Sequence, residues 1–340
     1  MGKKLKNKEL ATRLGVSGTL VSLVLNNKAD LHGIRKDTQE KVLALARKMG
    51  YFDSFNDSEE PSPVVEKPGI IGMIVPSIND PFVIQISQYL QLAFSNIGVG
   101  FSILTKDHDD QRFDRFIVTF KKFFSGIILL SDAADDYIIR TLRSANYPFI
   151  LLEKSGRSLR LNTVCTDSVI GANLIVNHIE NIGYKNIIIV TISTDNKVFK
   201  DLTDTLILKP SINNPAVIEL DKHIKGDELD FAQFERFLRP PYRADVMIVM
   251  NAYHIYPIMS MLRKKKLRVP QDIAVISMEE GIGFDLMYSP VTCLRKPLPE
   301  LAIKSANMIW SEVKNSGQGK YKRQVNLPPE LIIRNSCGTI

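Results

Sequence analysis

At 340 residues the chain has room for two or three domains, and its 44% hydrophobic content is that of a globular protein, not a disordered or collagen-like one. Three cysteines, Cys165, Cys293 and Cys337, none in a CxxC pair, argue against a disulfide framework and against zinc. The formal net charge of +7 is unevenly held, because residues 1–51 carry eleven Lys and Arg against four acids while the rest of the chain carries 33 of each sign.

A basic N-terminal segment on a neutral body is an electrostatic footprint for phosphate. Within it, Asn7 to Asn26 reads as two short helices. Leu10, Ala11 and Leu14 recur at helical spacing. Gly15 ends the first helix, since the position past a helix C-terminus commonly needs the left-handed conformation. Ser17 is placed to cap the second, whose inner side is Leu20, Val21, Val24 and Leu25. Such a pair fits a DNA-reading helix-turn-helix or an ordinary helical hairpin, and the charge favours DNA. Ser17, Gly18, Thr19, Ser22 and Asn26 would then face base edges or phosphates, with Lys6, Arg13, Lys28, Arg35 and Lys36 on phosphate. A polar loop with Gly33 follows. Thr38 reads as the N-cap of a third helix over TQEKVLALARKMGY, with Val42, Leu45, Ala46 and Met49 as its inner stripe.

The pieces ELATRLGVSGTLVSLVLNN and TQEKVLALARKMGY, with their spacing and the closing Tyr51, resemble the N-terminal module of the lactose/galactose repressor (LacI/GalR) family. The resemblance implies a sequence-specific transcription regulator, a repressor by analogy, that binds a two-fold operator as a homodimer. The module is expected over residues 1–52. Residues 53–68, DSFNDSEEPSPVVEKP, read as a linker, because three prolines favour extended chain. The family implies a hinge helix here whose leucine wedges into the minor groove. This chain has Asp57 and Ser58 at the family's Ala-Arg positions and Glu60 at the leucine, so no wedge is expected.

From Gly69 to the end, strands alternate with helices. GIIGMIVPS, VGFSILT, GIILLS and FILLE are apolar runs that suit strands buried on both faces. A helix is expected after GIIGMIVPS, another running through Phe124, and a third near Asp135 to Ala145. The pattern repeats in NIIIVTIS, AVIEL, DVMIVM and DIAVISM. The expected fold class is α/β, with the helix-turn-helix module followed by a two-lobed, doubly wound parallel-sheet body over 69–340. Crossings between lobes are expected near residues 160, 250 and 290, leaving a ligand cleft beyond the strand carboxyl ends.

The segments TVCTDSVIGANLIVNHIENIGYKNIIIV, RVPQDIAVISMEE, SPVTCLRKPLPELAIKSANMI and LPPELIIRNSC resemble later landmarks of the same family, whose body is similar to periplasmic sugar-binding proteins. The family implies a small effector, often a sugar, held by an Arg early in the second lobe, an Asn-Asp pair and a later Asp. This chain departs at all three: Lys197 and Lys200 stand near the missing Arg, Ala252 follows Asn251, and Glu279 replaces the later Asp. Lysine lacks the planar fork of arginine. Asp167 matches an acid at the lobe entry. Phe82, Tyr253, His254 and Tyr256 would make the cleft more aromatic or serve as packing. The expected effector contacts are Phe82, Asp167, Lys197, Lys200, Asn251, Tyr253 and Glu279. The expected effector is a sugar derivative with an anionic group, and a cleft that no longer binds anything is the alternative.

No GxSxG, GxxxxGK[ST] or HExxH motif occurs, and the five histidines share no motif, so neither catalysis, metal nor cofactor is expected. A small-molecule binding protein without DNA function would have no use for the basic module. With no apolar signal-peptide run and no stretch approaching 18 apolar residues, a cytoplasmic protein without membrane contact is expected.

Overall fold

The computed structural model describes residues 7–25, 29, 33–48, 69–106, 122–154, 161–221, 229–315 and 323–338. These fall into two compact units, Met1–Lys67 and Pro68–Ile340. The linker over 53–68, the helix expected before Phe124, and Met49 lie outside the described residues.

The first unit holds α1 (Asn7–Leu14), α2 (Gly18–Leu25) and α3 (Lys36–Lys48). Gly15 takes φ +66°, where a Cβ would be strained, and the chain turns back so that Val16 N donates to the Ala11 carbonyl at 3.1 Å. Ser17 caps α2 by accepting from Leu20 N at 3.2 Å. Leu10, Ala11, Val21, Val24, Val42 and Ala46 are buried together, and Leu14, Leu20, Leu25 and Leu45 pack around them. The third helix opens two residues before Thr38. The Arg35 carbonyl accepts from Thr38 N and Gln39 N at 3.0 and 3.1 Å, and the Gln39 amide reaches back to the Ile34 carbonyl at 2.7 Å. Thr38 is therefore a first-turn residue and not the cap.

The second unit is built on two six-stranded sheets. In chain order the first lobe supplies β1 (Ile70–Val75), α4 (Pro81–Asn96), β2 (Gly100–Thr105), β3 (Gly126–Leu130), α5 (Asp136–Ser144), β4 (Phe149–Leu152) and β5 (Thr163–Thr166). The chain then crosses through α6 (Ser168–Ile182) to β6 (Ile187–Thr191), α7 (Lys197–Ile207), β7 (Ala216–Glu219), α8 (Ala232–Leu238), β8 (Val246–Val249), α9 (Ala252–Lys264), β9 (Ala274–Ser277) and β10 (Thr292–Arg295). It returns through α10 (Leu298–Lys314) to β11 (Gln324–Leu327), and ends in β12 (Glu330–Ile332). The sheet orders are β11-β5-β4-β3-β1-β2 and β12-β10-β9-β8-β6-β7, the same plan twice. Strands β3, β6, β8 and β9 are buried along their whole length, as sheets covered on both faces require.

The crossings fall at Asp167, at Lys296–Pro297 and at Pro328–Pro329, close to the expected 160 and 290, whereas the one expected near 250 is absent and the one at Pro328–Pro329 was not expected. Around residue 250 the chain stays in one lobe, because β8 and β9 are parallel neighbours joined by α9. The remaining crossing is the extended run from β11 to β12. Both sheets present their strand carboxyl ends to the same cleft. A strand continuing straight from one into the other must be parallel in the first and antiparallel in the second, as β11–β5 and β12–β10 are. The helices follow the crossings: α6 packs in the second-lobe core through Ala172, Ile175 and Ile179, and α10 in the first through Leu301, Ala306 and Ile309.

Candidate functional site

Two surfaces have the chemistry to bind something. On the module, Arg13, Ser17, Gly18, Thr19, Arg35 and Lys36 are exposed and Ser22 is half-buried, while Lys6, Asn26 and Lys28 lie outside the described residues. The Ser17 hydroxyl is already engaged as the α2 cap, which leaves Thr19 and Gly18 as the outward face of that helix's first turn.

The second surface is a cleft of about 870 Å³ between the two lobes, within the range of small-ligand sites. The start of α4 contributes Asp80 and Phe82, and the end of β4 contributes Glu153. Opposite stand Lys197 at the start of α7, Asn251 and Tyr253 at the start of α9, and Glu279 past β9. The crossings supply Asp167, Arg295 and Lys296. Six of the seven expected contact residues therefore line one cavity. The exception is Lys200, which points to exposed Asp195 at 2.8 Å and is not part of the lining. Of the four aromatic candidates, Phe82 and Tyr253 line the cleft. His254 is fully buried in the second-lobe unit, with Nε2 3.3 Å from the Asp221 carbonyl, and burial lowers its pKa. Tyr256 faces away, donating to the Ile282 carbonyl at 2.8 Å.

One lining residue, Lys296, was not among the expected contacts. Lys296 lies on the crossing between β10 and α10, with its ammonium 3.0 Å from Glu153 Oε2 and 3.1 Å from Glu279 Oε1. It also lies 4.6 Å from the centre of the Phe82 ring, a cation–π contact. Burial pushes its pKa down, but the two carboxylates outweigh that and hold it above the ordinary lysine value. Glu153 takes φ +58°, an uncommon conformation for a residue with a side chain. Its Oε1 accepts from Thr166 N and Oγ1 at 2.6 and 2.9 Å. One lysine on a crossing therefore ties an acid of each lobe.

The other cations are tied as well. Arg295 makes a two-pronged contact with Glu280 at 2.6 and 2.9 Å, and Arg334 joins the same carboxylate at 2.7 Å. The Arg295 hydrogen bonds hold the Glu280 carboxyl below its usual pKa. Lys197 is bound to Asp201, one helical turn on, and to Ser168 Oγ at 2.9 Å. Cys165 lines the cleft, but burial and the neighbouring Glu153 push its thiol up to about 12, so it stays protonated and unreactive. No group of three or more metal-ligating side chains occurs among the described residues. Glu279 was among the expected contacts, and Glu153 was legible in principle, since it too follows the carboxyl end of a strand, where ligands bind in such sheets.

The chain resembles known proteins along its length. A family model described as periplasmic binding protein-like domain matches residues 176–337. The HTH-type transcriptional regulator DegA of Bacillus subtilis is 21% identical over 351 residues, covering 98% of each chain. The HTH-type transcriptional repressor PurR of Haemophilus influenzae is 24% identical over 344 residues, again covering 98% of each. Among solved structures, the lac repressor dimer bound to operator and the anti-inducer ONPF superposes with a TM-score of 0.69 at 20% identity, covering 98% of this chain and 99% of that one.

Proposed function

We propose that this chain is a transcription regulator of the LacI/GalR family, an operator-binding repressor whose grip on DNA is set by a small molecule in the inter-lobe cleft. The observation that carries this reading is the pairing, in one chain, of a module over residues 1–52 holding the whole net charge with a ligand-sized cavity in the body over 69–340. Arg13, Arg35 and Lys36, with Lys6 and Lys28, contact phosphate. Thr19, Gly18, Ser22 and Asn26 face the bases, with Ser17 holding the helix that presents them. Phe82, Asp167, Lys197, Asn251, Tyr253 and Glu279 surround the effector. Regulation proceeds by differential affinity of the effector for two lobe arrangements, without a chemical step.

A two-fold operator asks for a homodimer, and the body has apolar surface for one. Tyr256, Ile282, Leu286 and Tyr288 are exposed on the second lobe, Leu286 to 84%, and Ile84 and Leu92 are exposed on α4. A DNA-binding role places the protein in the cytoplasm. No helix among the described residues is long and apolar enough to cross a membrane.

The test is salt. With DNA fragments selected by the purified protein, neutralising about six phosphates per dimer gives a slope of log K against log salt near −5, at roughly 0.9 per phosphate. A flat salt dependence, or failure to enrich any sequence, would overturn the reading.

A further inference from the structure

The chemical class of the effector can be taken further by asking which hydrogen-bonding groups the cleft leaves open. This rests on the reading of the cleft as an effector site. The cationic donors are tied. Lys296 is shared by Glu153 and Glu279, Arg295 is locked on Glu280, and Lys197 is bound to Asp201 and Ser168. Six amides at the helix starts, of the kind an anion would use, are taken too. Phe82 N and Val83 N donate to Asp80 Oδ1 at 2.8 and 3.3 Å, and Val169 N and Ile170 N to Asp167 Oδ1 at 3.1 and 3.0 Å. Phe199 N donates to Asn196 Oδ1 at 2.7 Å, and Ala252 N to Glu279 Oε2 at 3.3 Å.

What remains open is acceptors. The second oxygens of Asp80 and Asp167 have no donor, and neither carboxylate has a cation, among the described residues. Asn251 Oδ1 is buried in the wall without a hydrogen-bond partner. The lining holds six carboxylates (Asp80, Glu153, Asp167, Asp195, Glu279 and Glu280) against three cations, Lys197, Arg295 and Lys296, and Lys200 and Arg334 pair with Asp195 and Glu280 from outside it, which leaves Asp80 and Asp167 as the uncompensated acids. The positive ends of the helix dipoles attenuate that excess, though the first-turn amides beside Asp80 and Asp167 are already capped by those carboxylates.

We propose that the cleft takes a ligand bearing a protonated amine beside hydroxyl groups, with Asp80 and Asp167 as counter-charges and Asn251 as an acceptor. A closing cleft strips water from those two carboxylates, which favours a ligand that brings positive charge over one that brings none. An anionic sugar would meet the same carboxylates with every lining cation already tied to an acid of the chain, so the anionic class expected from Lys197 and Lys200 is replaced by its opposite.

The experiment is titration calorimetry of the full-length protein with matched ligands: hexosamines, the parent hexoses, N-acetylhexosamines, hexose 6-phosphates and uronic acids. The expected result is binding by an amine, lost when the amine is acetylated. Asn caps a helix as well as Asp, so Asp80→Asn and Asp167→Asn remove charge while keeping α4 and α6 capped. Each should weaken amine binding about tenfold without lowering the melting temperature of the unliganded protein. Tighter binding of a hexose, phosphate or uronate than of any amine would overturn the amine assignment and leave the effector cleft standing. So would amine binding untouched by both Asn variants. Silence from every compound, with operator affinity unmoved by all of them, would overturn both.

Discussion

The module and the cleft both contain basic residues, but the balance of charge around them differs. Arg13, Arg35 and Lys36 are exposed on a unit whose cations outnumber its acids, so their field reaches outward to a polyanion. In the cleft, Lys197, Arg295 and Lys296 turn inward to carboxylates of the same chain and act as ties between elements. A lysine near a binding site is thus evidence for an anionic partner only when the chain has not already supplied the anion.

The comparison can be broken first at the module. Val21 is fully buried in its small core, and Val21→Asp would put an unpaired charge there. We expect operator binding to fall below detection while the melting transition of the body is unchanged, measured by gel shift and calorimetry on the same preparation. Loss of the body's transition as well would mean that the two units fold as one.

A smaller effect tests the tie. Lys296→Met leaves Glu153 and Glu279 without their shared cation and should cost about 3 kcal/mol in urea unfolding of the body, the scale for breaking a largely buried pair. Adding Glu153→Gln and Glu279→Gln should restore most of it. If the single substitution costs nothing, Lys296 is not a tie. The smallest effect belongs to Lys200, whose partner Asp195 has a 93% exposed side chain. Lys200→Met should leave both the melting temperature and cleft binding unaltered, as exposed pairs contribute little. A marked loss of ligand affinity would return Lys200 to the cleft.

Much of this architecture was legible in the chain. Helical spacing, Gly15 and Ser17 located the module's first two helices, and apolar runs located the strands, because both patterns are local. The crossings were less legible. A strand followed by a helix has the same periodicity whether the next strand joins its own sheet or the other, so the expected crossing near residue 250 did not occur. The signal for the third crossing was Pro328–Pro329 between two short extended runs. The tie at Lys296 joins residues 143 and 17 positions away, and no spacing rule connects them. By contrast, the engagement of Lys197 by Asp201 was readable, being four residues apart on one helix.

The three crossings also have a mechanical meaning. β5 and β11 are neighbours in one sheet, β10 and β12 in the other, and Asp167 N is hydrogen-bonded to the Leu327 carbonyl at 2.8 Å. The covalent links therefore lie side by side, with the short Pro328–Pro329 strap between the other two. Three adjacent straps make a flexure: they resist sliding and stretching of one lobe against the other, and yield to bending about the line they define. The motion left to the lobes is close to a single degree of freedom, with the Lys296 ammonium fastened across its axis.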